Sequence, residues 1–487
     1  MIALLLLGAC AKNPAEDART EAPPAIEAGP ERAGPPPDDD DNAAPKHEEH
    51  DGPRIGSLSF RTWIWPEPNR NKDRLAIGAI RVGTSVRLKS VEPVGGTGCN
   101  NKWYAVEPHG FVCADETTTR KFDTPYWRAL ASLRPGAGAY PYRYAFSMGA
   151  PMYSRIPTKG EQKSAEIEMP AVGEFKTLGK WSEGHEELVI RDRKKLPKPD
   201  GPIPAFYSGT DSVEGSPWNP TLAKVKTIPA GSGFAYARVF EAEGRVWLLT
   251  PDLFLVPADR TFPYERSSFK GVELSGESTL PVAWVRSPEK RVVFLTGKRE
   301  TEGKLVRWEA KDGSWIVDDD TVTVVERPKK LKHGISEKER WIEASILGGT
   351  MTAFEGLEPI YTTLWSPGLG GIPVKGNNAK QFATTEIGVF PIQWKDAVET
   401  MSPDPGAPTV FWFADVPWIQ YVHAPMAMHV AYWHDKFGHP MSAECLNVSA
   451  EDGKWLFDFT LPKLPPGWGS VGAGRLSGPS TKINIIP

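Results

Sequence analysis

Hydrophobic positions along this chain fall in short runs rather than in long periodic stretches. From about residue 75 to 118, "LAIGAIRVGTSVRLKSVEPVGGTGCNNKWYAVEPHGFVCADETT" alternates apolar and polar positions over four or five segments broken by Gly and Pro. A period of two predicts half-buried strands. The same texture continues through 121–330. There "GFAYARVFEAEGRVWLLTPDLFLVPADRT" (233–261) and "RWEAKDGSWIVDDDTVTVVE" (307–326) end as 103–116 does, in a Trp-bearing strand, a turn and an apolar strand closed by an acidic residue. Degenerate repeats of one small β unit or a divergent β-rich spacer would both give that pattern. The basic, Pro-containing "ERPKKLKHGISEKER" (326–340) interrupts it and predicts a linker. Beyond it, "RWIEASILGGTMTAFEGLEPIYTTLWSPG" (340–368) reads as two strands around a "GG" turn. "MAMHVAYW" (426–433) predicts a buried strand carrying His429. "SAED" (449–452) before "GKWLFDF" resembles a capping box, so a helix should start just after Ser449, with Cys445 in the turn before it.

Composition narrows the fold class. At 487 residues the chain is too long for one ordinary core, which predicts two to four domains. Its 46 Gly and 47 Pro favour short strands and many turns over long helices. The expected fold is mostly β: small β-barrel modules followed by a β-sandwich domain with short helices. A net charge of −4 and the absence of a long Lys/Arg run exclude nucleic acid as the expected partner.

The N-terminus, "MIALLLLGAC", is apolar for about ten residues, too short to span a bilayer. Leu7, Gly8, Ala9 and Cys10 resemble the bacterial lipobox. That resemblance implies a signal peptide over 1–10, lipidation of Cys10, membrane attachment through the lipid, and a place on the periplasmic face of the cell envelope, at the outer membrane if the cell has two membranes. Residues 11–55, with "PPAIEAGPERAGPPPDDDDNAAP", are too polar and Pro-rich to offset the entropy of folding and predict a disordered tether. Such a coil would span roughly 40 Å. Residues 56–120 resemble a bacterial SH3-like barrel, a wall-associated module. The expected organisation is therefore 1–10, 11–55, 56–120, 121–330 and 331–487.

The four cysteines sharpen the functional question. Cys99 and Cys113 bracket a hairpin-like segment and predict a disulfide in an oxidising compartment. Cys445 is left without a structural partner, and an unpaired cysteine in an exported protein invites a reactive role. His429 lies 16 positions earlier, a spacing suited to neighbouring strands joined by "HDKFGHPM". A protonated imidazole beside a thiol would favour the nucleophilic thiolate.

Over about 338–470 the sequence resembles the catalytic domain of L,D-transpeptidases of the YkuD type. The resemblance is carried by His429, by Tyr432, Trp433, His434, Phe437 and Gly438, by Ser442, Cys445 and Asn447, and by "TTEIGVFPI" (384–392). It implies a peptidoglycan tetrapeptide stem as substrate and no cofactor. Cys445 would be the nucleophile, His429 the base and then acid, and Ser442 would position the loop. The backbone N–H groups of Glu444 and Cys445 would hold the oxyanion. Tyr421, Tyr432, Trp433, His434 and Asn447 would contact substrate. Three positions depart from the family pattern: Val430, Ala443 and Glu444. A left-handed backbone at Glu444 would add strain, and its carboxylate would raise the thiol pKa. The alternative is a catalytically silent, peptidoglycan-binding lipoprotein that kept the fold. A zinc site built from His423, His429, His434 and His439 is disfavoured by their spacing, so no metal is expected.

Overall fold

The computed structural model describes residues 52–70, 75–100, 102–169, 185–207, 213–217, 223–287, 289–332, 334–402, 412–474 and 476–487. Cys10 and the tether up to residue 51 lie outside them. The protein is mostly β, and the longest helix among the described residues, Ala450–Phe459, has ten residues. No helix among them is long and apolar enough to cross a membrane.

The alternating pattern sets the local structure. In the strand Arg61–Trp65, Thr62 and Ile64 are buried while Trp63 faces out. The hairpin Arg340–Ser345/Thr350–Glu355 forms around the "GG" turn as its pattern predicts. Gly349 there has φ +61°, and a Cβ on it would lie 2.4 Å from the Gly438 carbonyl oxygen. The turn therefore needs glycine twice, for its left-handed backbone and for close approach to the loop that later carries Cys445.

Two sheets sandwich the core beneath the His429 strand. One has six strands, in the order Val272–Glu273, Glu358–Leu364, Thr350–Glu355, Arg340–Ser345, Lys482–Ile486 and Gly388–Pro391. Its inward residues Ile342, Met351, Tyr361 and Ile483 pack with Met426, Met428, Leu446 and Val448 of the opposite layer and with Leu456 of the helix. The opposite layer belongs to a twelve-stranded sheet centred on the long strand Phe413–His423. Its other face meets an aromatic cluster that includes Tyr144, Phe262, Phe413, Tyr432 and Trp433.

This large sheet crosses the boundaries expected at 120 and 330. Gly233 pairs with Phe413, Gly78 with Val471 and Ala79 with Ser470. Trp468 and Val471 fill the core of the N-terminal strands beside Ile55, Ile64 and Val112. A Cβ on Gly78 would overlap the Trp468 ring at 2.2 Å. Arg81 of the strand Gly78–Arg81 forms a buried ion pair with Asp415 of the long strand. The 56–120 segment is thus built into the sheet instead of standing apart, because its outermost apolar positions find their partners nearly four hundred residues away. Order also begins inside the span expected for the tether: the strand Arg54–Ser57 pairs Arg54 with Arg87.

Cys99, in the turn before the strand Trp103–Ala105, forms a disulfide with Cys113 at the end of the paired strand Phe111–Cys113. Closing a loop of this size restricts the unfolded chain by about 3 kcal/mol. In 121–330 the strand-turn-strand pattern is real locally. Trp103, Trp247 and Trp308 are all buried on strands, yet the Trp247 and Trp308 strands lie in separate five-stranded sheets.

Candidate functional site

The strand Met426–Val430 is buried throughout and carries His429. It runs antiparallel to Phe413–His423, with Tyr421 opposite Ala427, and parallel to Leu446–Val448, with His429 opposite Asn447. Parallel pairing forces the connection 431–445 to return to the start of the strand. Its course is pinned by backbone bonds: Gly438 N–H to Trp365 O at 3.0 Å, Met441 N–H to Pro367 O at 2.9 Å and Leu369 N–H to Ser442 O at 2.9 Å. Ser366 bonds Asn447 in both directions, at 2.8 and 3.1 Å. Ser442 Oγ–H closes the turn by donating to the Cys445 carbonyl at 2.5 Å.

Cys445 stands at the end of that turn, partly exposed, and is the free cysteine among the described residues. The strand Leu446–Val448 separates it from the helix, so it does not lie in the turn directly before the helix. The helix itself starts where expected, with Ser449 Oγ accepting the Asp452 N–H. The thiol faces the Pro425 carbonyl at 3.8 Å. Burial pushes its pKa up to about 12; a backbone bond at Ala427 works against this, and the Glu444 charge adds to it.

His429 is 3% exposed, and both ring nitrogens are occupied. Nδ1 lies 3.0 Å from Val430 O, and Nε2 lies 3.1 Å from Asn447 Nδ2. Burial lowers its pKa to about 4, with the Val430 bond opposing, so the ring is neutral at pH 7. No hydrogen bond joins His429 to Cys445 among the described residues. The expected thiolate–imidazolium contact is therefore replaced by two neutral groups, the imidazole on its strand and the thiol in the turn that leads into the neighbouring strand, each with a partner elsewhere, because desolvation penalises charge at both.

The remaining expected site residues divide into two groups. Tyr421, half-buried, lies on the strand next to Ala427, and its phenol is raised to about 12 by burial, then by the charges of Asp396 and Cys445. It packs against the edge of the aromatic cluster that holds Tyr432 and Trp433. Tyr432, Trp433 and His434, expected at the substrate, are 2%, 5% and 0% exposed. Tyr432 stacks on Tyr144 at 3.9 Å and Trp433 on Phe413 at 4.1 Å, so these rings form the wall behind His429 and offer no surface to a ligand. Asn447, 2% exposed, bridges the two imidazoles: its Oδ1 lies 3.4 Å from His434 Nε2. Glu444 is buried, but its backbone is outside the left-handed region, so the expected strain is absent.

Two buried charged side chains have roles that the sequence reading did not give them. Asp452, fully buried, accepts hydrogen bonds from Gly271 N–H at 2.7 Å, Tyr361 and Thr363 hydroxyls at 2.6 Å each and Ser449 Oγ at 2.8 Å. It ties the helix start to the six-stranded sheet, and the capping pattern was its only signal. Lys395, also fully buried, donates to Phe457 O at 2.6 Å and to Thr460 O and Oγ1 at 3.2 and 3.0 Å, capping the helix C-terminus. Nothing in "QWKDAV" marks it. Among the described residues, no group of three or more His, Cys, Asp or Glu is placed to hold a metal ion.

No family model matches the chain, and no curated protein matches it. Solved structures do. An L,D-transpeptidase from Xylanimonas cellulosilytica is 18% identical over 33% of this chain and 64% of its own, with a TM-score of 0.22. The catalytic domain of the E. faecium L,D-transpeptidase is 15% identical over 31% of this chain and 98% of its own, TM-score 0.22. An L,D-transpeptidase from Mycobacterium smegmatis is 16% identical over 45% and 100%, TM-score 0.23. Each likeness covers less than half of this chain, and the first spans less than two thirds of its own relative.

Proposed function

We propose that this chain is a cysteine acyltransferase of L,D-transpeptidase type acting on peptidoglycan tetrapeptide stems. The observation that carries the reading is Cys445, free and partly exposed, in the turn beside the strand of a neutral His429 whose Nδ1–H is fixed by the Val430 carbonyl. A neutral imidazole held that way has its lone pair on Nε2, where the Asn447 amide now donates; release of that contact would leave it able to act as a base. Cys445 Sγ would attack the carbonyl preceding the terminal D-alanine while its proton passes to His429 Nε2. The backbone N–H groups of Glu444 and Cys445 would stabilise the oxyanion. Collapse breaks the C–N bond, D-alanine leaves as an amine with the proton from His429, and a thioester remains. An amine on a neighbouring stem then attacks, His429 takes its proton, and the thiol is restored. In the same reading, the N-terminal strands are an SH3-like, wall-associated module, and a lipid on Cys10 holds the protein at the periplasmic face of the envelope.

Incubation with a carbapenem followed by intact-mass measurement tests the chemistry. One adduct, located on Cys445 and lost in Cys445→Ala, is the expected result; tetrapeptide muropeptide dimers should disappear in the same variant. A second reading, a silent wall-binding protein, is favoured by one observation: His429 Nε2 is taken by Asn447 and the thiol is directed at Pro425 O. An absent adduct with retained binding to peptidoglycan would select it.

A further inference from the structure

His434 was expected to face substrate, yet it is completely buried, and its ring nitrogens are both engaged. The chain of contacts runs Val430 O, His429 Nδ1 (3.0 Å), His429 Nε2 to Asn447 Nδ2 (3.1 Å), Asn447 Oδ1 to His434 Nε2 (3.4 Å) and His434 Nδ1 to the Lys436 N–H (3.3 Å). Both ends are backbone groups, whose roles are fixed by chemistry. A carbonyl can only accept, so His429 carries its proton on Nδ1 and its Nε2 is bare. A bare nitrogen needs a donor, which orients the Asn447 carboxamide with its NH₂ towards His429. The amide oxygen then needs a donor, so His434 carries its proton on Nε2 and leaves Nδ1 to receive the Lys436 N–H, which can only donate. For neutral rings, a single assignment of two tautomers and one amide orientation satisfies every partner.

We infer that His434 is a positioning residue for His429, acting through the Asn447 carboxamide to keep His429 Nε2 unprotonated. The inference rests on the acyltransfer reading for its consequence, since a bare Nε2 matters only if His429 serves as a base. Without the His434 N–H the amide has no reason to keep its oxygen away from His429. A flipped amide presents an acceptor to Nε2, which favours the Nε2–H tautomer, so that release of the amide would no longer expose a lone pair to Cys445. The ionisable groups that act on His434 are His185, His429 and Lys436; all of them, with burial, disfavour a second proton on its ring. The rings behind it support the same arrangement sterically. Trp433 lies 5.9 Å from the His429 ring, and Phe437 lies 5.1 Å from the His434 ring.

The test uses the full chain with ¹⁵N-labelled histidine. In wild type, nitrogen shifts and couplings should identify His429 as the Nδ1–H tautomer and His434 as the Nε2–H tautomer, assigned with single His→Gln variants. In His434→Phe, which keeps a ring but removes the donor, His429 should populate the Nε2–H form, and acylation of Cys445 by a carbapenem should slow by roughly tenfold or more. A folded His434→Phe protein with an unchanged His429 tautomer overturns the proposal. If that variant does not fold, wild type decides: an Nε2-protonated His429 overturns the proposal, and the Nδ1–H/Nε2–H pair supports it. The tautomer readout does not depend on turnover. A missing carbapenem adduct on wild type would sink the acyltransfer reading alone, whereas a normal adduct with the wrong tautomers would sink only the positioning role.

Discussion

Neutralising Asp415 should loosen the join between the N-terminal strands and the strand layer that carries the site. Arg81 and Asp415 side chains are each 5% exposed, and the Asp415 carbonyl also receives the Tyr144 hydroxyl at 2.9 Å. Burial works against the Arg81 charge, but Asp415 overcomes it and holds the guanidinium above its ordinary range. Asp415→Asn keeps the size and tolerates the left-handed backbone at this position (φ +53°), so it removes the charge and little else. It strands a buried cation, and breaking one partner of a buried pair costs about 3–5 kcal/mol. Asp252, raised to about 6 by burial and then by Asp415, is a further carboxylate near Arg81 and should recover part of that loss. The expected cost is therefore at the lower end, about 3 kcal/mol, growing when Asp252→Asn is added. Arg81→Met/Asp415→Asn should be less destabilised than Asp415→Asn alone, because an uncharged pair needs no compensation. Urea unfolding followed by tryptophan fluorescence gives the three values and their coupling. A loss below about 1 kcal/mol for Asp415→Asn, additive with Arg81→Met, would refute the claim that this pair is desolvated.

Three further outcomes follow from the site and its supports. Burial pushes Lys395 down to about 7 from 10.5. Its folded pKa thus lies below the unfolded one, the unfolded chain binds the extra proton between those values, and stability should rise from pH 7 towards 10.5 by roughly 5 kcal/mol at most; Lys395→Met should flatten that slope in urea midpoints taken across the range. Glu444→Gln should lower the pH midpoint for iodoacetamide alkylation of Cys445, but by less than burial raises it, since burial is the larger cause; an unmoved midpoint would show that the carboxylate does not act on the thiol. Gly349→Ala should cost at least ~1–3 kcal/mol for the left-handed backbone alone, and the clash with Gly438 should also lower the rate of Cys445 acylation, measured beside thermal unfolding.

The parts of this fold that were legible in the sequence are those decided by neighbours close in the chain, the longest reach being Arg340 to Glu355. Alternation gave the hairpin 340–355 and the buried His429 strand, and Ser449 with Asp452 marked the helix start. The Cys99–Cys113 bridge likewise spans one strand pair. What was hidden is set by partners distant in the chain. No local pattern tells Gly78 that it will pair with Val471, so the independent N-terminal module suggested by 56–120 became part of a larger sheet. Aromatic character at Tyr432 and Trp433 announces burial or binding equally well, and only the Tyr144 and Phe413 rings across the core decide for burial. Of the two strands that the spacing suggested, His429 lies on one while Cys445 stops in the turn before the other, and the competition for Nε2 depends on where Asn447 points, which periodicity does not record.

The pairing of Gly78 and Ala79 with Val471 and Ser470, and the seat of Trp468 in the N-terminal core, impose an order on folding. Loop-closure entropy must be met before such distant contacts contribute, and proteins rich in them fold slowly. During synthesis the first strands would emerge with an incomplete core, and the chain would extend by nearly four hundred residues before Trp468 arrives to fill it. Until then their apolar faces and unpaired strand edge are open to wrong partners. The last few dozen residues therefore act as a keystone for the first, and a chain stopped before Trp468 would leave the N-terminal strands without the ring that occupies their centre, however intact the segment from Arg54 to Thr119 is in itself.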